Sequence, residues 1–249
     1  MRYSRLESAE KTLYAALVDG KYCAIEGDIY GDCTVTDRVI DDYKILAPCE
    51  PTKIVAVGQN YSDHVKEMGD EIPETPIIFI KPTGCIIAHE EKIIYPKISE
   101  IVDYEGELCF IIKKTAKNVK AQDAFEYING YSILNDVTAR DIQKSDGQWT
   151  RGKGFDTFAP IGPVVVTQDI NPNALAIETR LNGEVRQSSN TSYFMHDIGA
   201  IMEFVTTCMT LYPGDVVTTG TPAGIGPMVS GDVIEIEIEG IGVLCNTVE

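Results

Sequence analysis

The segment Asp103-Tyr104-Glu105-Gly106-Glu107-Leu108-Cys109-Phe110 places three carboxylates at alternate positions, directly before an apolar run that continues through Ile112. Successive side chains of a strand point to opposite faces, which predicts that Asp103, Glu105 and Glu107 share one face. Neighbouring like charges disfavour each other's ionisation, so such a row lies either on a solvated surface or around a cation. The apolar run indicates a strand that enters a core, but a charged edge strand is the alternative. This segment alone leaves both interpretations open.

The composition restricts the kind of metal that such a site could bind. The 249-residue chain has only 3 His, and its 7 Cys include no C-x-x-C pair. A zinc or iron site built from nitrogen and sulfur ligands is therefore not expected. Clustered carboxylates suit a hard cation such as Mg²⁺, Mn²⁺ or Ca²⁺.

The composition also bounds the class of protein and its partners. A hydrophobic content of 44% is sufficient for a large core. The formal net charge of −17 argues against a nucleic acid backbone or an anionic membrane surface as partner. The dispersed cysteines fit a reducing compartment, and the first residues show no apolar signal segment. We therefore expect a globular, cytoplasmic protein without a nucleic acid or membrane partner.

The chain is expected to be mostly β with some α, in two parts. Residues 1–50 alternate loosely between Asp-Gly and Gly-Asp turns, which predicts a small β-rich N-terminal domain followed by a larger domain over 51–249. Within the larger domain, helical patterns cover 121–128 and 197–209, and Asp197 is the expected cap of the second. The run 233–239 predicts a strand with buried isoleucines and solvent-facing glutamates.

A second acidic element follows the apolar run 130–134, because Asn135 and Asp136 come at a predicted strand end. Such a position can direct a side chain toward the carboxylates of a neighbouring strand. Lys153 comes shortly afterwards between two glycines, which let a backbone or a ligand approach closely. This pattern lacks the spacing of a Walker loop.

A further candidate lies between Gly58 and Gly69, where Ser62 is expected to cap a short helix that ends at Gly69. His64 and Glu67 would then lie three residues apart on one helix face, close enough to hydrogen-bond. A Glu that fixes the tautomer of a His is the orienting half of many general-base pairs. An ordinary surface helix with an isolated His is the alternative.

Taken together, several ordered segments over residues 53–249 resemble the fumarylacetoacetate hydrolase family, including its bacterial acylpyruvate hydrolases and 2-hydroxyhepta-2,4-diene-1,7-dioate isomerases/decarboxylases. The segments are Val57-Gly58-Gln59-Asn60-Tyr61-Ser62-Asp63-His64, Phe79-Ile80-Lys81-Pro82, Asp103-Tyr104-Glu105-Gly106-Glu107-Leu108, Asn135-Asp136-Val137-Thr138-Ala139-Arg140-Asp141, Lys153-Gly154-Phe155-Asp156 and Thr219-Gly220-Thr221-Pro222. An accidental match of all these segments in this order is not expected.

The resemblance implies a mixed β-sandwich roll, a homodimer, and a bound Mg²⁺ or Mn²⁺ ion. The implied metal ligands are Glu105, Glu107 and Asp136, with Asp103 beside them but not itself a ligand. The implied catalytic residues are Lys153 and the water-activating pair His64 and Glu67, which would lie on a mobile lid. The implied substrate-binding residues are Asn60, Tyr61, Arg140, Gln143 and Thr221.

The same resemblance implies a small 2-oxo or 2,4-dioxo acid as substrate. Such an acid can chelate a cation through its carboxylate and keto oxygens, which places the scissile C–C bond beside a Lewis acid. Our leading hypothesis is hydrolysis of that bond in acylpyruvate-type acids, with His64 activating water and Lys153 stabilising the departing enolate. The alternatives are decarboxylation of oxaloacetate, and isomerisation or decarboxylation of 2-hydroxyhepta-2,4-diene-1,7-dioate. A non-catalytic Ca²⁺-binding module is the hypothesis from another class, although it gives Lys153 and His64 no role.

Overall fold

The computed structural model describes residues 1–9 and 11–249, and most of its regular structure is β. The strands are β1 (Arg2–Glu7), β2 (Thr12–Val18), β3 (Lys21–Gly27), β4 (Cys33–Ile40), β5 (Lys44–Leu46), β6 (Ile54–Gly58), β7 (Ile77–Lys81), β8 (Ile86–Ile87), β9 (Lys92–Ile93), β10 (Val102–Tyr104), β11 (Gly106–Ile112), β12 (Ile128–Asn135), β13 (Thr138–Ala139), β14 (Ala159–Val166), β15 (Ala176–Leu181), β16 (Glu184–Asn190), β17 (Val216–Thr218), β18 (Gly226–Met228), β19 (Val233–Ile238) and β20 (Gly242–Val248). The α-helices are α1 (Ser62–Met68), α2 (Arg140–Asp146), α3 (Thr150–Lys153) and α4 (Ile198–Cys208). Short 3₁₀ helices cover Thr83–Cys85, Ala121–Tyr127 and Thr191–Tyr193.

The strands of the described residues form three sheets. The largest has the order β4-β3-β2-β1-β14-β12-β11-β17-β6-β7, with β5 paired to β1 and β8 paired to β14. A second sheet has the order β16-β15-β19-β20-β9, and a third has the order β13-β10-β18. Most neighbouring strands are antiparallel, whereas the pairs β17–β6, β14–β8 and β20–β9 are parallel. The mostly β, mixed-sheet architecture predicted from the sequence is confirmed.

The core lies on both faces of β11. Leu108 and Phe110 belong to an apolar cluster that includes residues of α4 and β19, whereas Cys109 and Ile111 belong to a second cluster. Because successive side chains of a strand alternate between its faces, a strand covered on both faces is apolar throughout. Glu107 therefore lies near the start of a strand that has no solvated face.

The N-terminal segment forms an antiparallel meander of β1 to β4, as its turn pattern predicts. Its own small apolar cluster contains Leu6, Ala15, Tyr22, Ala24 and Ile40. Strand β1 also pairs with β14, so the meander continues the largest sheet. The division of the chain into domains of residues 1–50 and 51–249 stays a prediction.

The segment predicted as helical over 121–128 is a 3₁₀ helix over Ala121–Tyr127, and the other predicted helices differ from the observed ones at their ends. Asp197 caps α4 as predicted, because its Oδ1 accepts a hydrogen bond from the Ala200 N–H at 2.8 Å. Helix α1 ends at Gly69 as predicted, but Ser62 is its first helical residue and not its cap. Tyr61 occupies the cap position of α1 without a side-chain hydrogen bond, so the prediction for Ser62 was wrong. No helix in the described part of the chain has the length and hydropathy needed to cross a membrane.

Strand β19 shows the predicted division between its faces. Ile234, Ile236 and Ile238 are buried. Glu235 and Glu237 lie on the other face, where both pair with Arg180 of β15. This acidic row is thus a solvent-side ion-pair network, unlike the acidic row that starts at Asp103.

Candidate active site with a buried carboxylate cluster

Three carboxylates from two separate segments meet inside the protein, and we call them the carboxylate cluster. Glu105, Glu107 and Asp136 each offer an oxygen, and these oxygens lie within 4.8 Å of one another. All three side chains are buried. The acidic spacing predicted Glu105 and Glu107 together, the strand-end position predicted Asp136 near them, and the solvated-edge alternative is wrong for these buried residues.

The acidic segment does not form the single strand that its alternation predicts. Asp103 lies in β10 of the three-stranded sheet and Glu107 in β11 of the largest sheet, so the chain changes sheets at Glu105. Gly106 allows this close passage, because a Cβ there would lie 2.4 Å from Thr179 Oγ1. Asp103 consequently lies apart from the cluster and accepts a hydrogen bond from Arg140 Nε at 2.8 Å.

Backbone and amide hydrogen bonds fix the two segments of the cluster against each other. The Asp136 N–H donates to the Glu105 carbonyl at 2.9 Å, and the Glu105 N–H donates to Asn135 Oδ1 at 2.9 Å. Asp136 follows β12 directly, as predicted for a strand end. Asp136, directly after the end of β12, thus directs its carboxylate toward the neighbouring acidic segment.

Two buried cations compensate part of the cluster's charge. Lys153 Nζ donates to Glu105 Oε2 and to Asp136 Oδ2, both at 2.7 Å, and Arg140 also pairs with Glu105. Burial alone would raise the pKa of Glu105, but Lys153 and Arg140 outweigh it and hold that pKa well below its usual range. Burial likewise opposes the charge of Lys153, yet Asp136 and Glu105 raise the pKa of its ammonium group. Glu105 and Lys153 are therefore ionised together.

A third buried cation, Lys81 at the end of β7, was not assigned a role from the sequence. It is fully buried, and its Nζ donates to Asp136 Oδ1 at 2.5 Å and to the Val137 carbonyl at 3.2 Å. Each Asp136 oxygen therefore accepts from a different lysine. The available signal was a charged residue inside the apolar strand Ile77–Lys81, just before Pro82.

Glu107 differs from the other members of the cluster. Among the described residues, no Lys or Arg nitrogen lies within 4.0 Å of its carboxylate. Its Oε2 accepts a hydrogen bond from the Gly220 N–H at 2.9 Å. Burial, together with the nearby charges of Asp136 and Glu105, raises the pKa of Glu107 well above its usual range. A buried carboxylate that faces two others without a cation of its own fits a metal ligand.

The donor chemistry agrees with this fit. All three potential ligands are carboxylates, which hard divalent cations prefer. A cation at this position would supply positive charge beside the Glu107 carboxylate. The carboxylate cluster can therefore hold a divalent metal ion.

The histidine of α1 is placed beside the cluster. His64 Nδ1 lies 3.3 Å from Glu67 Oε2, as the helical spacing predicts. The Gly224 N–H donates to the same Glu67 carboxylate, at 3.0 Å from Oε1 and 3.2 Å from Oε2. When Nδ1–H donates to Glu67, Nε2 is the basic nitrogen of the neutral ring.

One cavity of about 240 Å³ joins these groups. Its wall contains the carboxylate cluster, His64 and Lys153. Three of the predicted substrate-binding residues, Arg140, Gln143 and Thr221, also line it. His64, the metal-ligand candidates and the buried lysine are thus brought together around a space that suits a small molecule.

The other two predicted substrate-binding residues, Asn60 and Tyr61, do not line this cavity. The Asn60 amide donates to the carbonyls of His196 and Thr219 and accepts from the His196 N–H, at 2.8–3.0 Å. The Tyr61 ring packs edge-on against Phe194 at 5.1 Å. These contacts give both residues a structural role, and the prediction of substrate binding gains no support from them.

Gln187 is a further residue that sequence reasoning missed. Its Nε2 donates to Thr221 Oγ1 at 2.8 Å, and its Oε1 accepts from the Gly106 N–H at 3.1 Å. The Thr221 hydroxyl in turn donates to the Gly106 carbonyl at 3.0 Å. Gln187 therefore holds the loop of Thr221 against Gly106, which lies between Glu105 and Glu107. Nothing in the sequence of its hairpin distinguishes it from the exposed residues beside it.

Comparison with known proteins identifies the family. A family model described as fumarylacetoacetate (FAA) hydrolase, C-terminal, matches residues 53–249. The chain therefore belongs to the fumarylacetoacetate hydrolase family and is an enzyme of that family.

Individual relatives share most of the chain. An uncharacterised protein of Methanocaldococcus jannaschii is 57% identical over 84% of this chain and 88% of its own. The mitochondrial oxaloacetate tautomerase Fahd2a of Rattus norvegicus is 43% identical over 82% of this chain and 68% of its own. The crystal structure of 2-hydroxyhepta-2,4-diene-1,7-dioate isomerase from Mycobacterium marinum is 42% identical, with a TM-score of 0.93 over 100% of this chain and 98% of that one.

Proposed function

We propose that this protein is a divalent-metal-dependent enzyme that interconverts the keto and enol forms of small 2-oxo acids. The observation that carries this proposal is the shared cavity, where His64, whose Nδ1 contacts Glu67, and Lys153 lie around three buried carboxylates. A group that moves a proton and groups that stabilise negative charge are the two requirements of enolate chemistry.

The carboxylate cluster would hold Mg²⁺ or Mn²⁺, as the resemblance of the sequence implies. Such an ion would supply Lewis acidity toward the carboxylate and keto oxygens of the acid. The homodimer and the cytoplasmic location implied by the sequence also stay predictions.

In this proposal the His64–Glu67 pair moves the proton. Nε2 of His64 accepts a proton from the carbon next to the keto group, so that a C–H bond breaks and its electron pair forms the enolate. Transfer of that proton from the His64 imidazolium to the enolate oxygen then gives the enol and restores the neutral imidazole, and the reverse sequence returns the keto form. Glu67 fixes the tautomer and stabilises the imidazolium that forms transiently.

Lys153 has the second role in this proposal. Its ammonium group is buried and is held by Glu105 and Asp136 at 2.7 Å, so its position is fixed before the substrate arrives. A fixed positive charge in a buried site stabilises a developing enolate oxygen without reorganisation. The names of the relatives, a tautomerase and a diene-dioate isomerase, favour this proton-transfer chemistry.

Hydrolysis of the C–C bond of acylpyruvates is the second candidate. The His64–Glu67 pair supports it, because the same Nε2 can activate a water molecule. The leaving carbon would depart as an enolate, so Lys153 would keep its role. Decarboxylation of oxaloacetate needs no water-activating base, and this pair does not favour it.

A product analysis distinguishes these reactions. The purified protein is incubated with enol-oxaloacetate and with acetylpyruvate in Mg²⁺ or Mn²⁺, and enol absorbance and pyruvate are followed together. Accelerated enol loss without pyruvate supports the tautomerase. Formation of acetate and pyruvate from acetylpyruvate would contradict this proposal and indicate a hydrolase. Formation of pyruvate from oxaloacetate would contradict it and indicate a decarboxylase.

Two variants test the assigned base. His64→Ala should lower the rate of enol loss about hundredfold, as expected for removal of a general base. Lys66→Ala, on the exposed side of the same helix, should leave the rate unchanged. Equal rates for the wild type and His64→Ala would contradict the role of His64.

A further inference from the structure

Three cationic side chains line the cavity, and two of them are already occupied by protein carboxylates. All three nitrogens of the Arg140 guanidinium donate within the protein, to Asp103, Gln143 and Glu105. Lys153 Nζ donates to Glu105 and Asp136. Both cations are therefore held in place by protein carboxylates before any substrate enters.

The third cation, Lys144, is different. Among the described residues, no acidic oxygen lies within 4.0 Å of its Nζ, and Nζ donates no hydrogen bond. Lys144 is exposed, whereas Arg140 and Gln143 of the same helix are buried. Residues four apart share a helix face, so Lys144 lies above Arg140 at the solvent-facing part of the cavity wall.

Lys144 offers a positive charge in surroundings that are mostly negative. The protein carries a formal net charge of −17, and four carboxylates line the cavity, at Asp70, Glu105, Glu107 and Asp136. A dianionic acid entering this region would meet unfavourable charge at its outer end unless a cation were available there. Lys144 is the cavity-lining cation whose ammonium hydrogens are free for a ligand in the described structure.

We propose that Lys144 binds a second anionic group at the end of the substrate farthest from its 2-oxo acid group. This inference rests on the proposed function and narrows it to 2-oxo acids that carry a terminal carboxylate. Arg140 and Gln143, which the family resemblance implies as substrate-binding residues, then form the buried part of the wall, and Lys144 forms its exposed, charge-selective part.

A matched pair of acids tests this inference. Oxaloacetate and 2-oxobutanoate have the same four-carbon chain, but the second has a methyl group where the first has its terminal carboxylate. Keto–enol exchange of both is followed as solvent deuterium incorporation at the carbon next to the keto group. Lys144→Met should raise KM for oxaloacetate about tenfold, as expected for loss of a charge-assisted hydrogen bond, and should leave KM for 2-oxobutanoate unchanged.

Charge variants make the test specific. Lys144→Arg should keep the preference for oxaloacetate, and Lys144→Glu should weaken it further than Lys144→Met does. Lys66→Met, which removes an exposed lysine from α1, is the matched control and should change neither KM. Equal changes of both KM values in Lys144→Met, or no change in either, would overturn the inference.

A binding measurement separates this inference from the proposed reaction. Trp149 is the only tryptophan of the chain and lines the same cavity, so its fluorescence reports binding of either acid without turnover. If the wild type turns over neither acid, the proposed function fails. The role of Lys144 is then decided by whether Lys144→Met weakens binding of oxaloacetate selectively.

Discussion

Lys81 and Lys153 hold the two oxygens of one carboxylate. Lys81 lies on Oδ1 of Asp136 and Lys153 on Oδ2, and all three side chains are buried. A buried carboxylate held on both oxygens cannot rotate without leaving an ammonium group unpaired. Lys81 therefore positions Asp136 toward the rest of the carboxylate cluster.

We predict that Lys81→Met lowers the unfolding free energy of the metal-free protein by about 3 kcal/mol, because removal of one partner leaves buried charge uncompensated. Saturating Mg²⁺ should restore part of this loss, since a bound cation supplies charge at the same carboxylate. Urea unfolding with and without Mg²⁺ measures both effects. A loss that is the same as in the exposed variant Lys66→Met would contradict this account of Lys81.

Single residues differ in how far the sequence reveals them. Glu105, Glu107 and Asp136 could be identified as candidates because carboxylates beside apolar runs are costly unless something compensates them, and the resemblance to the family then implied them as one set. The sequence reveals less about the role of Lys81, because a single lysine at the end of a strand is also typical of an edge strand. Asn60 shows least, since the sequence does not tell whether an amide contacts a ligand or, as here, the His196 and Thr219 backbone.

At the scale of elements, helix α1 is connected to the rest of the site through Glu67. Its carboxylate contacts His64 on the same helix and the Gly224 N–H on the loop after Thr221.

We predict that Glu67→Gln lowers kcat on the order of tenfold to hundredfold with little change in KM, because the amide stabilises the imidazolium less than a carboxylate does. Steady-state kinetics across pH measures this, and an unchanged kcat would remove Glu67 from the proton-transfer pair.

Helix α4 offers a prediction on stability alone. Asp197 caps this helix through the Ala200 N–H, away from the cavity wall. Asp197→Ala should lower the unfolding free energy by about 1 kcal/mol, whereas Asp197→Asn, which can still cap, should lower it much less. Thermal unfolding of both variants provides the comparison. Equal losses would indicate that charge, and not the hydrogen bond, is responsible.

Elements were predictable where one regular pattern covers the whole element. The alternation of β19 and the helical pattern of α4 each extend over most of an element, and both elements are observed where they were predicted. The acidic segment from Asp103 alternates equally well, yet the chain changes sheets at Glu105. At that break Gly106 packs closely against Thr179, Ile236 and Gln187, and such contacts between distant residues are not visible in a local pattern.

At the scale of the whole molecule, Asp215 joins the start of the family domain to the core. It is fully buried and accepts hydrogen bonds from Thr52 N, Thr52 Oγ1 and Tyr212 N, and it pairs with Lys53 Nζ at 2.5 Å. These contacts fix the segment before β6 to the loop before β17. Both strands lie in the part of the largest sheet that carries Glu107.

We predict that Asp215→Ala lowers the unfolding free energy by about 3–5 kcal/mol, since it leaves a lysine and several backbone donors without their partner. Urea unfolding measures the loss, and the exposed variant Asp63→Ala is the control. A loss no larger than that of the control would show that the junction is held by other contacts.

The overall architecture was predictable mainly through the resemblance to a family, which supplied the mixed sheets. Turn signals and strand patterns predicted the N-terminal β segment, but not its pairing with β14. That pairing joins residues more than 150 positions apart, at Tyr3 and Val165. Such non-local pairing depends on the packed whole and has no signal in a short window of sequence.

The most direct test of the central claim is a calorimetric titration of the metal-depleted protein with Mg²⁺, Mn²⁺ and Ca²⁺. Each titration is made with and without oxalate, which offers two carboxylate oxygens as a 2-oxo acid does. We predict one Mg²⁺ or Mn²⁺ ion per chain, tighter binding with oxalate, and a loss of about tenfold or more in Glu107→Gln. Far tighter binding of Ca²⁺ that oxalate does not change, or equal binding by Glu107→Gln, would contradict the claim.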